Sequence, residues 1–368
     1  MASDAFGVGA DWEFFHTVLI SSGCIFIQFL KDCKPMQDSA FSSFPGKLHV
    51  VILGTGGTIA GLAASASNNL GYTAAQVGVD QLVAAIPSLT AAGPVLSEQV
   101  AQVDSKDMSF EVWMRLAARV GHYLARDDVQ GIVITHGTDT IEETAFFLQA
   151  VCQPVKPVVL TCAMRPASAL APDGPQNVLD AVAVARLADA QGVLVVCAGT
   201  IHGALDVQKV HTYRLDAFSS GDGGPLGYVE EGIPRMVRNW PSTQALPAQE
   251  AIKIIADRVR PGDWPRVEIV MNYAGADGAL VQALVAQGVQ GLVVAATGNG
   301  TLHHDLEAAL LAAQASGVSV VRATRCVNGR VLPKSGDVLP DSEGLSPVKA
   351  RVALMLRLLG RQPARGSL

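Results

Sequence analysis

From Lys47 onwards, short apolar runs alternate with longer segments that carry apolar residues at helical spacing. The short runs have the length of single buried strands, and the longer segments have the length of ordinary helices. Strands separated by helices in this way predict βαβ units and a parallel sheet. The predicted strands are LHVVIL, VQGIVITHG, KPVVLTCA, GVLVVCAG, VEIVMNYAG, GLVVAATGNG and VSVVRATR. The predicted helices are VGVDQLVAAIP, FEVWMRLAARVGHYLA, TIEETAFFLQAVC, PQNVLDAVAVARLA, DGALVQALVAQ, HDLEAALLAAQAS and SPVKARVALMLRLLG.

A proline-bounded segment without a core-like strand interrupts this alternation between residues 239 and 263. The sequence therefore predicts an α/β protein with two domains. The larger N-terminal domain, with a parallel sheet, is expected over residues 47–238, and a smaller α/β domain over residues 264–368. The segment 239–263 is then a linker, and residues 1–46 are an extension outside the fold.

The apolar stretch FFHTVLISSGCIFIQFL at residues 14–30 raises the question of targeting. No Lys or Arg precedes it, whereas a secretory signal needs a positive start, and polar residues interrupt it. It is also too short to span a bilayer well. We expect a cytoplasmic protein whose natural start could be Met36; a periplasmic location is the alternative if the stretch acts as a signal.

Composition excludes several classes of function. The 368 residues carry a net charge of −6 and show no basic stripe with interleaved aromatic residues, so a nucleic-acid partner is not expected. The six cysteines form no CxxC pair, so no metal site is predicted. Most cysteines have apolar neighbours, which is typical of buried, reduced thiols.

The first predicted strand ends in the glycine cluster GTGGTIAG, which permits two interpretations. Gly54 and Gly56 fit the first two positions of the dinucleotide-binding fingerprint, but the third position falls on Ile59. No amphipathic helix follows to receive a phosphate, although nucleotide binding stays open on the residues alone. The other interpretation is that the glycines frame Thr58, whose hydroxyl needs a base to become a nucleophile.

The segment ITHGTDTIEET supplies candidate partners for that hydroxyl. Thr138 and Asp139 come at the carboxyl end of a predicted strand, and open parallel sheets bind ligands at this edge. Asp139 can hold a substrate cation and Thr138 adds a second hydroxyl, although both residue types are also common in turns. The following helix is expected to begin with a capping box formed by Thr140 and Glu143.

Together, TGGTIAG and HGTDTIEETAFFL resemble the two signature segments of the bacterial L-asparaginase family, which includes the glutaminase-asparaginases. Segments such as YTAAQVGVDQLVAAIP, DSKDM, GALDVQKVHT and NYAGADG follow in the family's order, so the resemblance covers roughly residues 47 to 360. It implies a flavodoxin-like C-terminal domain and hydrolysis of L-asparagine to L-aspartate and ammonia, with glutamine or D-asparagine as further substrates. It implies no metal or organic cofactor, no membrane partner, and a homodimer or homotetramer with sites between subunits.

The resemblance also implies roles for individual residues. Thr58 matches the family nucleophile, and Tyr72 matches the tyrosine that closes over the site and assists it. Thr138, Asp139 and Lys209 match a second catalytic group. Lysine acts as a base near neutral pH only where burial or neighbouring cations favour its neutral form.

A further set of residues is implied in substrate binding. Ser105 matches the residue that helps to bind the α-carboxylate, and Asp139 matches the residue that binds the α-ammonium. Backbone N–H groups around the glycine loop and near Thr138 are expected to stabilise the tetrahedral intermediate. Lys106 stands where many periplasmic members carry a glutamine, and we expect it to face the carboxylate or solvent. The full substrate-binding set is Gly57, Ser105, Lys106, Thr138 and Asp139.

Two rival functions share these segments. One is the ammonia-producing subunit of a tRNA-dependent amidotransferase, which usually has an added N-terminal domain. The other is a non-catalytic amino-acid-binding module of the same fold. His136 is a tempting general base, but the resemblance gives it a structural role. Periplasmic relatives often have a disulfide whose first position falls near Arg126, where this chain has no cysteine, so no disulfide is expected.

Overall fold

The computed structural model describes residues 48–91, 93–241 and 264–361. The predicted extension at 1–46 and most of the predicted linker at 239–263 lie outside the described residues. The strands are β1 (His49–Gly56), β2 (Leu62–Ala63), β3 (Tyr72–Thr73), β4 (Val95–Val103), β5 (Val129–Thr135), β6 (Pro157–Thr161), β7 (Gly192–Cys197), β8 (Thr200–Gly203), β9 (Gln208–Lys209), β10 (Phe218–Ser219), β11 (Gly227–Glu230), β12 (Ile233–Met236), β13 (Val267–Met271), β14 (Gly291–Ala296) and β15 (Ser319–Thr324). The α-helices are α1 (Val79–Ala84), α2 (Ser88–Ala91), α3 (Phe110–Leu124), α4 (Ile141–Cys152), α5 (Gly174–Ala185), α6 (Ala279–Ala286), α7 (His304–Ala315) and α8 (Pro347–Arg361).

The large sheet has eight strands in the order β12-β11-β8-β7-β6-β5-β1-β4. Strands β4, β1, β5, β6 and β7 run parallel to their neighbours, which confirms the predicted parallel sheet. Strands β8, β11 and β12 extend it by antiparallel pairing, an extension that the apolar pattern did not predict.

Strand β1 lies inside this sheet and is buried on both faces. Val51 and Leu53 pack towards α3 and α4, while Val50 and Ile52 pack towards α1 and α5. All four side chains are fully buried. Two-sided burial explains why the strand is a continuous apolar run instead of an alternating one.

The smaller domain has a three-stranded parallel sheet in the order β13-β14-β15, as the second alternating region predicted. Helices α6 and α7 pack on one face of this sheet. Helix α8 covers the other face and also packs against α4 of the large domain. The predicted fold class, a large parallel-sheet α/β domain with a smaller α/β domain, is therefore confirmed.

Every predicted strand and helix has a counterpart among the observed elements, but β4 was not predicted. Its sequence VLSEQVAQV has polar residues in place of a continuous apolar run because the strand lies at the sheet edge, where several of its side chains are exposed to solvent. Within the described ranges, no helix combines the length and apolarity needed to cross a membrane.

The predicted capping box at the start of α4 was wrong. Thr140 does occupy the N-cap position, but its hydroxyl makes no capping hydrogen bond. It donates instead to the carbonyl oxygen of Ser105 at 2.8 Å. The carboxyl group of Glu143 is half-buried; burial raises its pKa, and the guanidinium of Arg351 opposes that rise.

Candidate active site

Three neighbouring parallel strands end at the same edge of the large sheet, and each is followed by a predicted site residue. Strand β1 leads into Thr58, β4 into Ser105, and β5 into Thr138. The carboxyl edge of an open parallel sheet is the usual place for a ligand. The fold thus brings together residues that lie far apart in the sequence.

A backbone contact between Gly57 and Gly137 joins the first and third of these segments. Gly57 has a φ of 84°, a conformation that residues with a side chain rarely adopt. A Cβ atom at Gly57 would overlap the Cα and N atoms of Gly137, and one at Gly137 would lie 2.7 Å from the Cβ of Ser105. Both positions require glycine so that the three segments can approach one another.

The side chain of Thr58 is buried and pairs with Tyr72. The Thr58 Oγ1 and the Tyr72 hydroxyl oxygen lie 2.7 Å apart, within hydrogen-bond distance. Tyr72 lies on β3, which pairs with β2 in a short antiparallel hairpin directly after the Thr58 turn. The N–H of Ala75 donates to the carbonyl oxygen of Gly57 at 3.1 Å and so fixes the far end of this hairpin.

A second group forms around Lys209. The Lys209 Nζ donates to Thr138 Oγ1 at 2.8 Å and to Asp139 Oδ1 at 2.6 Å. The Lys209 side chain is 19% exposed, whereas that of Asp139 is 53% exposed. The lysine therefore lies beneath a carboxylate that a ligand can still reach.

Ser105 connects this second group to the end of β4. Its Oγ accepts a hydrogen bond from the backbone N–H of Asp139 at 3.2 Å, and its carbonyl oxygen accepts one from Thr140. The residue is 2% exposed. Because the Ser105 Oγ already accepts from Asp139, its own proton can be directed towards a ligand.

Lys106 does not join these contacts. Its ammonium group pairs with the carboxylate of Asp107, and its side chain is 60% exposed. Asp107 raises the pKa of Lys106, and the carboxylate of Asp139 contributes a weaker effect in the same direction. Of the two orientations we expected, the structure shows the one towards solvent.

The backbone N–H groups expected to face an oxyanion are partly engaged within the fold. The N–H of Gly57 donates to the carbonyl oxygen of Val103 at 2.9 Å. The N–H of Asp139 donates to Ser105. The contribution of Gly57 is therefore the close backbone approach to Gly137, and its place in substrate binding stays a prediction.

His136 is fully buried and lies in a chain of hydrogen bonds. The Trp113 Nε1–H donates to Thr144 Oγ1 at 2.9 Å, and that hydroxyl lies 3.0 Å from His136 Nε2. The Thr144 proton then points to Nε2, so Nδ1 carries the imidazole proton and donates to the carbonyl oxygen of Gly137 at 2.7 Å. Burial lowers the pKa of His136 to about 4, which favours a neutral structural residue. Sequence reasoning missed Thr144 because its position on α4 reads as ordinary helix.

The glycine cluster does not open into a phosphate-binding helix. A three-residue 3-10 turn, Thr58–Ala60, follows it, and then the β2–β3 hairpin. A phosphate site needs a helix N-terminus at this place. The geometry therefore favours the interpretation in which the glycines frame Thr58.

One group of possible metal ligands occurs among the described residues. His303, His304 and Asp305 place their ligand atoms within 4.8 Å of one another at the start of α7. They are consecutive residues, and none belongs to the groups around Thr58 and Lys209. They add nothing to the chemistry at the sheet edge.

Comparisons with known proteins agree with this geometry. The family description "Asparaginase, N-terminal" matches residues 49–242, and "Glutaminase/Asparaginase C-terminal domain" matches residues 266–364. The chain is 38% identical over 315 residues to "L-asparaginase 2" of Bacillus subtilis, covering 84% of this chain and 82% of that protein. It is 37% identical over 325 residues to "Glutaminase-asparaginase" of Pseudomonas fluorescens biotype A, covering 86% and 88%.

A solved structure is also similar. The probable cytoplasmic L-asparaginase from Campylobacter jejuni superposes with a TM-score of 0.78 at 37% sequence identity. The superposition covers 86% of this chain and 96% of that one. With both domains matched and relatives above one third identity over most of their length, the chain belongs to the asparaginase family.

Proposed function

We propose that this protein hydrolyses the side-chain amide of L-asparagine to L-aspartate and ammonia, with Thr58 as the nucleophile. The proposal depends on two hydrogen-bonded pairs: the Thr58 and Tyr72 hydroxyls at 2.7 Å, and Lys209 with Thr138 at 2.8 Å. The segments that carry Thr58 and Thr138 are joined at the contact of Gly57 with Gly137. An activated hydroxyl beside a second proton-transfer group is the arrangement that covalent hydrolysis of an amide needs.

In the first half of the reaction, the Thr58 Oγ attacks the amide carbon of the substrate. A bond forms between Thr58 Oγ and that carbon, and the carbon–nitrogen bond breaks. The proton of Thr58 passes through the Tyr72 hydroxyl, 2.7 Å away, to the departing nitrogen, which leaves as ammonia. The product of this half is an ester between Thr58 and the substrate acyl group.

In the second half, water attacks the ester carbon and the bond to Thr58 Oγ breaks. The water proton returns to Thr58, and the new carboxylic acid ionises to aspartate. We assign the orientation of this water to the Thr138 hydroxyl, which Lys209 holds at 2.8 Å. No cofactor enters these steps.

The substrate's α-groups find opposite partners near the second group. The α-ammonium is assigned to the carboxylate of Asp139, which is half exposed although Lys209 holds its Oδ1. The α-carboxylate is assigned to the hydroxyl of Ser105, whose proton is not used in the bond from Asp139. Such charge-assisted hydrogen bonds fix both the position and the chirality of an amino acid.

The experiment is ammonia release from free L-asparagine by the purified protein, with L-glutamine and both D-isomers tested in parallel. We expect release from L-asparagine without a partner protein, and a fall of several orders of magnitude in Thr58→Ala. Glutamine belongs in the panel because three similar relatives are named glutaminase-asparaginase.

The possible outcomes separate the rival functions. No release from any amide would favour an amino-acid-binding module, and release only in the presence of a partner would favour an amidotransferase subunit. A Thr58→Ala variant that kept a tenth of the wild-type rate would show that Thr58 is not the nucleophile.

We propose that the active form is at least a dimer, and expect a tetramer, because the family's sites lie between subunits. Light scattering of the active protein measures this directly. An active monomer would contradict it.

We also propose a reduced, cytoplasmic protein. The described cysteines are free: Cys152, Cys162 and Cys197 are buried, and Cys326 is exposed. The Sγ atoms of Cys162 and Cys197 lie 2.8 Å apart, which is longer than a disulfide bond. Mass spectrometry of the unreduced protein should find only free thiols, and a native cysteine pair would overturn this proposal.

A further inference from the structure

Lys349, on the first turn of α8, is a buried charged residue that has no part in the proposed chemistry. Its side chain is fully buried, which is rare for lysine unless it is paired. Its Nζ donates to the carbonyl oxygens of Leu205 and Val207, at 2.8 Å and 2.6 Å. A side chain of the small domain therefore fixes a backbone segment of the large domain.

That segment carries Lys209. Val207 lies two residues before Lys209 and is itself fully buried. Lys209 itself pairs in strand register with Phe218 on β10, so the segment is held at Val207 and again at the lysine. A shift of the Val207 carbonyl would move the backbone from which the Lys209 side chain reaches Thr138.

Glu142 gives a second connection between Lys349 and the segment that carries Lys209. It lies in the first turn of α4, three residues after Asp139, and α4 packs against α8. Burial raises the pKa of Glu142 to about 7, and the Lys349 ammonium and the backbone N–H of Lys209 oppose that rise. Glu142 thus interacts electrostatically with both lysines.

The charge on Lys349 is balanced locally. Burial lowers the pKa of Lys349 to about 8, while the carboxylates of Glu142 and Asp206 act in the opposite direction. Replacing a well-packed apolar residue by a buried lysine costs free energy, so this cation needs a reason beyond core stability. Its two bonds to the segment of Lys209 supply that reason.

We propose that Lys349 is a positioning residue of the small domain which, by holding the carbonyls of Leu205 and Val207, keeps the Lys209 Nζ against Thr138. This rests on the proposed function, in which Lys209 and Thr138 orient the attacking water. Lys349 touches neither substrate nor reacting atoms and acts only through Lys209. The packing of α8 against α4 then matters for turnover as well as for stability.

A double-mutant cycle tests whether Lys349 acts through Lys209. Lys349→Met removes the two donated hydrogen bonds while keeping a side chain of similar length. We expect it to lower kcat at least about tenfold and to change the KM for L-asparagine by less than about threefold. In a Lys209→Met background, Lys349→Met should lower kcat by less than about twofold, because coupled residues are not additive. A purely structural role would lower kcat by the same factor in both backgrounds.

Arg351→Met is the matched control. Arg351 lies on the same helix and also donates to a backbone carbonyl, that of Val267 at 2.8 Å, but Val267 belongs to β13 of the small domain. Arg351→Met should lose stability and keep kcat within about twofold of the wild type. Equal losses of kcat in Arg351→Met and Lys349→Met would overturn the proposal, as would a wild-type kcat in Lys349→Met.

A structural measurement separates this proposal from the proposed function. A crystal structure of Lys349→Met should show the Lys209 Nζ beyond hydrogen-bond distance of Thr138 Oγ1, compared with 2.8 Å here. An unchanged distance overturns the positioning role even if the enzyme is an asparaginase. If Lys349→Met does not fold, Lys349→Gln takes its place in both measurements, because its amide nitrogen is one bond nearer to the backbone and the side chain is too short to keep both hydrogen bonds.

Discussion

Gly57 and Gly137 meet backbone to backbone, and neither position has room for a methyl group. Through this contact the turn that carries Thr58 lies against the turn that carries Thr138. Gly57→Ala would force a strained φ of 84° and an overlap with the Gly137 backbone. We expect kcat to fall at least about 100-fold, because a displacement of about 1 Å in a catalytic group has effects of this size. Steady-state kinetics on the folded variant measure it.

Gly232→Ala is the control for strain alone. Gly232 has a φ of 73°, but a Cβ atom there meets no other atom within 4 Å. It lies in the turn between β11 and β12, at the far edge of the large sheet. Its substitution should cost about 1 kcal/mol of stability and leave kcat unchanged. If Gly57→Ala were equally active, the close contact would not be needed for catalysis.

The Tyr72 hydroxyl is expected to carry the proton of Thr58. Tyr72→Phe keeps the ring and removes the oxygen that lies 2.7 Å from Thr58 Oγ1. Loss of a positioned proton-transfer group typically costs about 100-fold to 10,000-fold in rate, and we expect kcat to fall within this range with little change in KM. The control is Tyr228→Phe on β11, where the ring lies against the Arg235 guanidinium. This variant should leave kcat unchanged. A Tyr72→Phe enzyme with normal kcat would remove Tyr72 from the mechanism.

The alternation of apolar runs and helices was enough to predict the architecture, because buried strands and amphipathic helices have local signatures. The edge strand β4 and the antiparallel strands β8, β11 and β12 lack the continuous apolar run of a buried strand. Thr140 shows a different limit. A threonine with a glutamate three residues later is a local signal for a capping box, but the carbonyl of Ser105 captured the hydroxyl from a distant part of the chain.

The candidate site shows the same limit: individual side chains can be located from the sequence, whereas contacts between distant backbone segments cannot. The resemblance to the family located Thr58, Thr138 and Lys209, and the structure brings Thr138 and Lys209 into contact. The contact of Gly57 with Gly137 joins residues 80 positions apart and has no signature in either segment. Lys349, in contrast, has a signature in the sequence. It lies three residues before Val352 on the buried stripe of α8, where an apolar residue is expected.

Lys106 is expected to contribute little to substrate binding. It is exposed and pairs with Asp107, so its charge is already compensated in the free protein. Lys106→Gln should therefore preserve kcat and change the KM for L-asparagine by less than about tenfold, since exposed ion pairs contribute little. A much larger fall in KM would mean that Lys106 opposes the α-ammonium. The natural substrate would then be an amide without a free α-amine.

His202 should make stability depend on pH in a predictable direction. Burial, together with the nearby Lys349 ammonium, lowers its pKa to about 4 from an ordinary value of 6.5. Between these two values the unfolded chain binds a proton at His202 that the folded chain does not bind. The free energy of unfolding therefore rises with pH in this window: the contribution of neutral His202 is complete above pH 6.5 and is lost as the pH falls towards 4.

His136 and Glu142 also have shifted pKa values in the folded protein. Because both residues are present in the wild type and in His202→Asn, comparing the two proteins isolates the contribution of His202. An asparagine side chain can still reach the Ser220 hydroxyl, which lies 2.8 Å from His202 Nδ1. Urea unfolding between pH 5 and 6 should show a slope of the unfolding free energy against pH that is lower by about 1 kcal/mol per pH unit in the variant. Equal slopes would show that His202 is protonated in the folded protein at these pH values, which would place a second buried cation near Lys349.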